Sequence, residues 1–270
     1  MRELLLCAPD YYGIEYEINP WMSRARGAET ELVKSQWQGL YKTLVALGAK
    51  IDLVPPQPKL PDMVFTANAG LTVGRQFIPS NFRHQERAGE APHFARWMES
   101  HGYEVFWLPK ELYFEGEGDA LFGGDALFCG YKFRSDIQSH RAVAEMLACL
   151  VISVELVDPR FYHLDTCFCP LPDGSAVWLP AAFDEYGQRA IRGHVSDLID
   201  VKEEEANTFC CNAVVLGRDI VLPEGAPNLV RTLESRDYRC HQLPMSEFLK
   251  AGGACKCLTM FLPQREKVQA

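Results

Sequence analysis

The sequence predicts an α/β fold assembled from about five copies of one unit: a strand pair, then a helix, then a further strand. Three observations carry that reading. Short apolar runs of strand length alternate along the chain with segments whose apolar residues recur every three or four positions. Gly-, Asp- and Asn-rich turns separate neighbouring runs, and the units recur at roughly 50-residue spacing. No linker-like or low-complexity stretch interrupts the series, so the 270 residues, 47% of them hydrophobic, are expected to form one domain, 1–270, with a large core.

Leu4 to Ala8 reads as a short apolar strand, and the Pro-, Gly- and aromatic-rich stretch through Trp21 as a long ordered loop. The clearest helix is expected from about Ala28 to Leu47, where Val33, Trp37, Leu40, Leu44 and Leu47 share one face and Gly48 ends the period. A strand at Ile51 to Val54 meets the turn PPQPKLP. Met63 to Thr66 and Leu71 to Ile78 are expected as a strand pair around Asn68-Ala69-Gly70, followed by a helix at Pro92 to His101 and a strand at Glu104 to Leu108. Ala120 to Phe122 and Ala126 to Cys129 flank a Gly-Gly-Asp hairpin turn. A helix from Ile137 to Leu150 follows, then strands at Val151 to Leu156, Leu164 to Cys169 and Ala176 to Leu179. The series closes with a helix near Phe183 to Arg192, a strand pair Ala213 to Leu216 and Asp219 to Leu222, helices near Asn228 to Ser235 and Met245 to Lys250, and an apolar strand-like run ending at Leu262.

Composition narrows the function. The net charge is -9 and none of the 27 basic residues form a run, which argues against nucleic acid or an anionic membrane surface as partner and suits a small cationic substrate. No apolar run approaches the roughly 20 residues that span a bilayer. The chain begins MRELLLCAPD, without a basic-then-apolar leader, so its ten cysteines are expected to be mostly reduced thiols in the cytoplasm.

Several stretches could carry chemistry. In Ala251-Gly252-Gly253-Ala254-Cys255-Lys256-Cys257, the glycines let the backbone approach a ligand closely, and Cys257 follows as a candidate nucleophile. Cys255 is its rival, because residues two apart on a strand share a face. His163 and Asp165, in FYHLDT, are expected to project to one side of a strand as an imidazole and a carboxylate, or else to cap a strand entrance. FEGEGD at 114–119 spaces Glu115, Glu117 and Asp119 with glycines; it could be a solvated turn or a pair of inward carboxylates that bind a guanidinium. Asn19 and Asn68 offer amides on loop-like backbone or simply make turns. Cys167, Cys169, Cys210, Cys211, Cys255 and Cys257 could form a metal cluster near His163, but the CxxC spacing of zinc sites is absent and no metal is expected.

Taken together, these pieces resemble the guanidino-group-modifying enzymes: arginine deiminases, dimethylarginine hydrolases and amidinotransferases. INPWM at 18–22, DMVFTANAGL at 62–71, FEGEGDAL at 114–121, FYHLDTCFCPL at 161–171, CNAV at 211–214 and FLKAGGACKCLT at 248–259 are similar to the arginine dihydrolase domain known from cyanobacteria. The resemblance covers nearly the whole chain in order. It implies the pentein fold, a five-bladed α/β propeller of ββαβ units with pseudo-fivefold symmetry and the site at its axis. It implies no cofactor, L-arginine as small-molecule substrate, and compatibility with a homo-oligomer.

The resemblance also implies roles. Cys257 matches the nucleophile, His163 the general acid/base, Glu115 and Asp119 the Glu/Asp-Gly motif, and Asp165 a guanidinium-binding carboxylate. Asn68 stands where deiminases carry an aspartate, and Gly253 lies against the substrate. Asn19 and Arg87 match residues expected to hold the amino-acid end. Cys255 replaces an expected alanine, and Glu117 is an additional acid. The expected activity is hydrolysis of L-arginine to ornithine, two ammonia and carbon dioxide through an amidino-thioether on Cys257. A single cycle to citrulline, dimethylarginine hydrolysis, amidino transfer, and a non-catalytic metal-binding scaffold are the alternatives.

Overall fold

The computed structural model describes residues 2–262. Fifteen strands among these residues form five three-stranded sheets of one design. β1 (Glu3–Cys7) lies parallel to β2 (Lys50–Val54), with helix Thr30–Ala46 between them in the chain. β3 (Gly70–Val73) pairs antiparallel with β4 (Gln76–Pro79), which runs parallel to β5 (Glu104–Val105) after helix Ala91–Ser100. The same grammar joins β6 (Ala120–Gly123), β7 (Ala126–Tyr131) and β8 (Leu150–Glu155) around helix Ile137–Leu147. β9 (Phe168–Pro170), β10 (Ser175–Trp178) and β11 (Asp197–Asp200) repeat it around helix Glu185–His194. β12 (Val214–Leu216), β13 (Asp219–Pro223) and β14 (Arg239–Leu243) do so around helix Pro227–Glu234. The first sheet takes its antiparallel strand from the far end of the chain: β15 (Met260–Phe261) pairs with β1.

Period and burial explain the elements. The helix Thr30–Ala46 buries Val33, Gln36, Trp37, Leu40 and Leu44 on one stripe, and Gly48 leaves it with φ 85°. The central strands are buried on both faces: β13 (Asp219–Pro223) reads DIVLP and every residue is inside. They sit between an antiparallel neighbour and a parallel one, where near-continuous apolar runs belong. Trp178, Phe128, Phe161, Phe168 and Phe209 fill the largest core cluster. Among the described residues no helix is long and apolar enough to cross a membrane.

Three expectations are corrected. Met63 to Thr66 is not a strand. Single 3₁₀ turns, Pro61–Val64 and Thr66–Ala69, occupy this stretch, and the hairpin turns at Gly74-Arg75 instead of around Asn68. Met63, Val64, Phe65, Ala67 and Ala69 are all buried, so no alternation separated strand from turn. Leu164–Thr166 is likewise a 3₁₀ turn, with the strand beginning only at Phe168. Cys255 to Leu258 form turns, closed by hydrogen bonds from Leu258 N to Ala254 O and Thr259 N to Lys256 O, so Cys255 and Cys257 do not share a strand face.

Candidate active site

A tight turn precedes the leading strand of each sheet, and these five turns carry polar side chains inward. They contribute Asn68, Glu117, Asp165, Asn212 and Cys257 respectively. Each turn touches the next. Asn68 Nδ2 packs on Gly118, where a Cβ would lie 2.2 Å away. Leu164 N donates to Asp119 Oδ1 at 3.1 Å. Asn212 Nδ2 donates to the Asp165 carbonyl at 3.1 Å, and Lys256 N to the Asn212 carbonyl at 3.2 Å. Ala67 N returns to the Cys257 carbonyl at 3.1 Å.

Cys257 is buried, with its sulfur 3.1 Å from Asn212 Nδ2 and 3.4 Å from Asp165 Oδ2. Burial, and then the Asp165 charge, push its thiol well above the ordinary range. The sulfur stands where it can donate to Asp165 Oδ2. Burial also raises Asp165, to about 7, against the pull of Lys256. Its other oxygen, Oδ1, has no hydrogen-bond partner among the described residues. Gly253 is required beside the sulfur, because a Cβ there would meet the Phe65 ring at 2.6 Å and the Cys257 Cβ at 3.2 Å. Cys255 is fully buried, and burial raises its thiol; among the described residues no hydrogen bond joins its sulfur to the other site residues.

His163 takes a different carboxylate from the one two residues away. Its Nε2 lies 2.8 Å from Glu115 Oε2, and an ionised carboxylate only accepts, so Nε2 carries a proton. Burial would raise Glu115, but Arg134, 3.1 Å from the same oxygen, and then His163 outweigh it and hold the carboxyl far below its ordinary value. Asp165 faces the sulfur instead. Chain geometry explains this: the 3₁₀ turn at 164–166 breaks the alternation that would have put both side chains on one side.

The remaining expected residues divide. Asp119 is wholly engaged, with Oδ2 accepting from Ser135 Oγ at 2.6 Å and Oδ1 from the Leu164 amide; burial lifts it to about 6. It anchors the turn that holds His163 and Asp165. Glu117, buried, pairs with Lys256 Nζ at 2.9 Å and accepts from Phe261 N. Asn19 binds the Ala251 carbonyl at 3.0 Å through Nδ2 and ties its own loop through Oδ1, which places it against the Gly252-Gly253 segment. Arg87, expected at the amino-acid end of a substrate, is buried and held by Glu90 through two 2.8 Å bonds, by the Asp62 carbonyl at 3.2 Å and by Asn68 Oδ1 at 2.8 Å. Its guanidinium makes these four hydrogen bonds within the protein. A separate cavity of about 520 Å³ is lined by Thr72, Glu117, Cys169, Cys211, Lys256 and Phe261, among others, and not by Cys257, His163 or Asn68.

Two partners escaped sequence reasoning. Asn212 bonds the Cys257 sulfur, the Cys257 amide at 3.0 Å and the Ala254 amide at 3.1 Å. Arg134 links Glu115 to the Ile18 carbonyl and stacks 4.5 Å from the Tyr162 ring centroid. The position of Asn212, just before a leading strand as with Asn68, was the available signal.

Fold and site together define a class: an α/β protein of five small sheets whose leading turns assemble a buried thiol, two carboxylates, an imidazole and two amides. Residues 17–262 match the N,N dimethylarginine dimethylhydrolase family, eukaryotic type, and the chain belongs to that family of hydrolases. It is 45% identical over 273 residues to the bifunctional arginine dihydrolase/ornithine cyclodeaminase AgrE of Nostoc sp., covering 98% of this chain and 39% of that protein. It is 37% identical to the N(G),N(G)-dimethylarginine dimethylaminohydrolase of Mycobacterium tuberculosis, over 96% of this chain and 85% of that one. The crystal structure of the substrate-bound N-terminal domain of ArgZ, a cyanobacterial arginine dihydrolase, superposes with a TM-score of 0.94 at 43% identity, covering 97% of this chain and 98% of that domain. The chain therefore spans about two fifths of the length of full bifunctional relatives such as AgrE.

Proposed function

We propose that this chain is an arginine dihydrolase that converts L-arginine to L-ornithine, two ammonia and carbon dioxide, folded as one domain whose five sheets close into a pentein propeller around the site. The observation that carries the reading is the Cys257 sulfur, set between Asp165 and Asn212. The match to the substrate-bound ArgZ domain supports arginine as the ligand.

In the first cycle, Asp165 and Glu115 receive the cationic guanidinium, whose charge favours the thiolate of Cys257. The sulfur bonds to the guanidinium carbon, a C–N bond breaks, and the departing nitrogen takes a proton from His163 and leaves as ammonia. Water, activated by His163, adds to the amidino-thioether and breaks the C–S bond, leaving a ureido group. In the second cycle the sulfur bonds to the ureido carbon, a second C–N bond breaks as its nitrogen takes a proton from His163, and one further water cleaves the resulting carbamoyl C–S bond, so that ornithine, a second ammonia and carbon dioxide are released. The neutral Asn68 spares this uncharged group a buried, unpaired carboxylate. Asp119 keeps the His163 turn in place, Gly253 leaves room at the sulfur, and Asn19 ties the glycine segment to its loop.

Incubation with arginine tests the reading. Ornithine with two ammonia per arginine is the expected result; citrulline with one ammonia would indicate a deiminase. Turnover that depends on an added amine would indicate amidino transfer, and turnover of dimethylarginine alone a dimethylarginine hydrolase. Cys257→Ser should abolish turnover and Cys255→Ser should not, and equal loss in both would overturn the assignment of the nucleophile.

A further inference from the structure

The cavity of about 520 Å³ lies apart from Cys257, His163 and Asn68. Leu71, Leu121, Phe168, Val215 and Phe261 all line it, and each comes from the leading strand of a different sheet. The walls are therefore the strands that continue from the five site turns. Glu117 and Lys256, each 5% exposed, form a buried polar end, while Arg2 and Asp173 are exposed and mark the opening. At this size the space falls within the range of small-molecule sites, ~300–1,000 Å³. Water is a poor filler along apolar walls.

The buried end selects what can enter. Lys256 Nζ donates to Glu117 Oε2 at 2.9 Å and to the Thr259 carbonyl at 3.1 Å, two of the three bonds an ammonium can give. Oε2 also accepts from Phe261 N at 3.1 Å, so both of these bonds to Glu117 fall on one oxygen. The pair can thus offer a guest one N–H and one carboxylate oxygen. Its charges already balance. A guest with a net charge would leave a charge unpaired at the buried end, and a guest without polar atoms would leave the donor and the acceptor unmet. A primary carboxamide meets both, because its carbonyl accepts while its N–H₂ donates. The rings of Phe168 and Phe261 suit a flat apolar body attached to it.

We propose that this cavity is a second ligand site, taking a small neutral molecule with a flat apolar body and a primary carboxamide end held by Lys256 and Glu117.

Benzamide is the probe, followed by ligand-observed NMR on the Cys257→Ser protein, with benzoate, benzylammonium and toluene for comparison. Benzamide should bind about tenfold or more tighter than either charged analogue. Adding Val215→Trp, which fills the space, should abolish the benzamide signal while the fold, read by circular dichroism, persists; Val215→Phe takes its place if the larger side chain prevents folding. In the Lys256→Met/Glu117→Met variant, whose buried end is apolar, the preference for benzamide over toluene should fall by about tenfold or more, the loss of one hydrogen bond to a charged group. Saturating L-arginine should leave benzamide bound. Displacement by arginine, equal binding of all four probes, or benzamide binding unchanged by Val215→Trp overturns the proposal, as does no binding at all. These contrasts hold whichever reaction Cys257 carries out.

Discussion

Asn212 holds Cys257 at both ends: its Nδ2 donates to the sulfur at 3.1 Å while its Oδ1 accepts from the backbone amide at 3.0 Å. The carbonyl also takes the Ala254 amide, so one side chain sets the turn and solvates the sulfur it presents. A donor matters most once the sulfur is charged. Asn212→Ala should lose a charge-assisted bond worth about 1.5–3 kcal/mol, or about ten- to a hundredfold in rate. Iodoacetamide labelling of Cys257 should slow along with turnover; faster labelling with slower turnover would show that the amide merely restrains the turn.

Asp165 makes the stability of the protein depend on pH. Its folded value, about 7, lies above the ordinary carboxylate value of about 4, so the folded chain binds a proton that the unfolded chain has released. Through this group stability is highest below about pH 4 and falls as pH rises toward about 7. Asp165→Asn should therefore melt at a higher temperature than wild type near neutral pH, with the gap closing toward about pH 4, while the proposed turnover of arginine collapses. Melting curves across this range check the sign.

Gly118 is the floor between Asn68 and His163. A methyl group there would meet Asn68 Nδ2 at 2.2 Å and the His163 ring at 3.4 Å, and Arg87 and Glu115 hold the two side chains in place. Gly118→Ala should cost about 1–3 kcal/mol of stability from overpacking, with a disproportionate loss of activity. Thermal denaturation alongside steady-state kinetics separates the two effects.

Lys256 and Glu117 form a buried pair one residue from the nucleophile. Removing one partner strands the other, so Lys256→Met should cost about 3–5 kcal/mol. The Lys256→Met/Glu117→Met double variant should recover most of it. Urea denaturation of the single and double variants measures the coupling.

The helix Thr30–Ala46 and the hairpin of β12 and β13 were legible because each has one clean period and, for the hairpin, a Gly-Arg turn. β11 and β14 were not. Asp197–Asp200 and Arg239–Leu243 are sheet-edge strands with polar sequences, DLID and RCHQL, and their pairing with buried neighbours decides their conformation. In the site, Cys257, His163, Glu115 and Asn68 were candidates by residue type and setting, resemblance added their expected roles, and they lie in or beside contacting turns. The pairing of His163 with Glu115 rather than Asp165 depended on a turn hidden in an evenly buried stretch. Arg134 and Asn212 are single polar residues whose partners lie 19 and 45 positions away, and no local pattern announces such contacts.

The pairing of β15 with β1 has a consequence for the time course of synthesis. Of the described strands β1 leaves the ribosome first, whereas its antiparallel neighbour, with Cys257 just ahead of it, leaves last. The carboxylates and the imidazole exist on a nascent chain well before the sulfur does. Activity thus begins as a single late event, when the final strand docks on the first and carries the thiol into its seat.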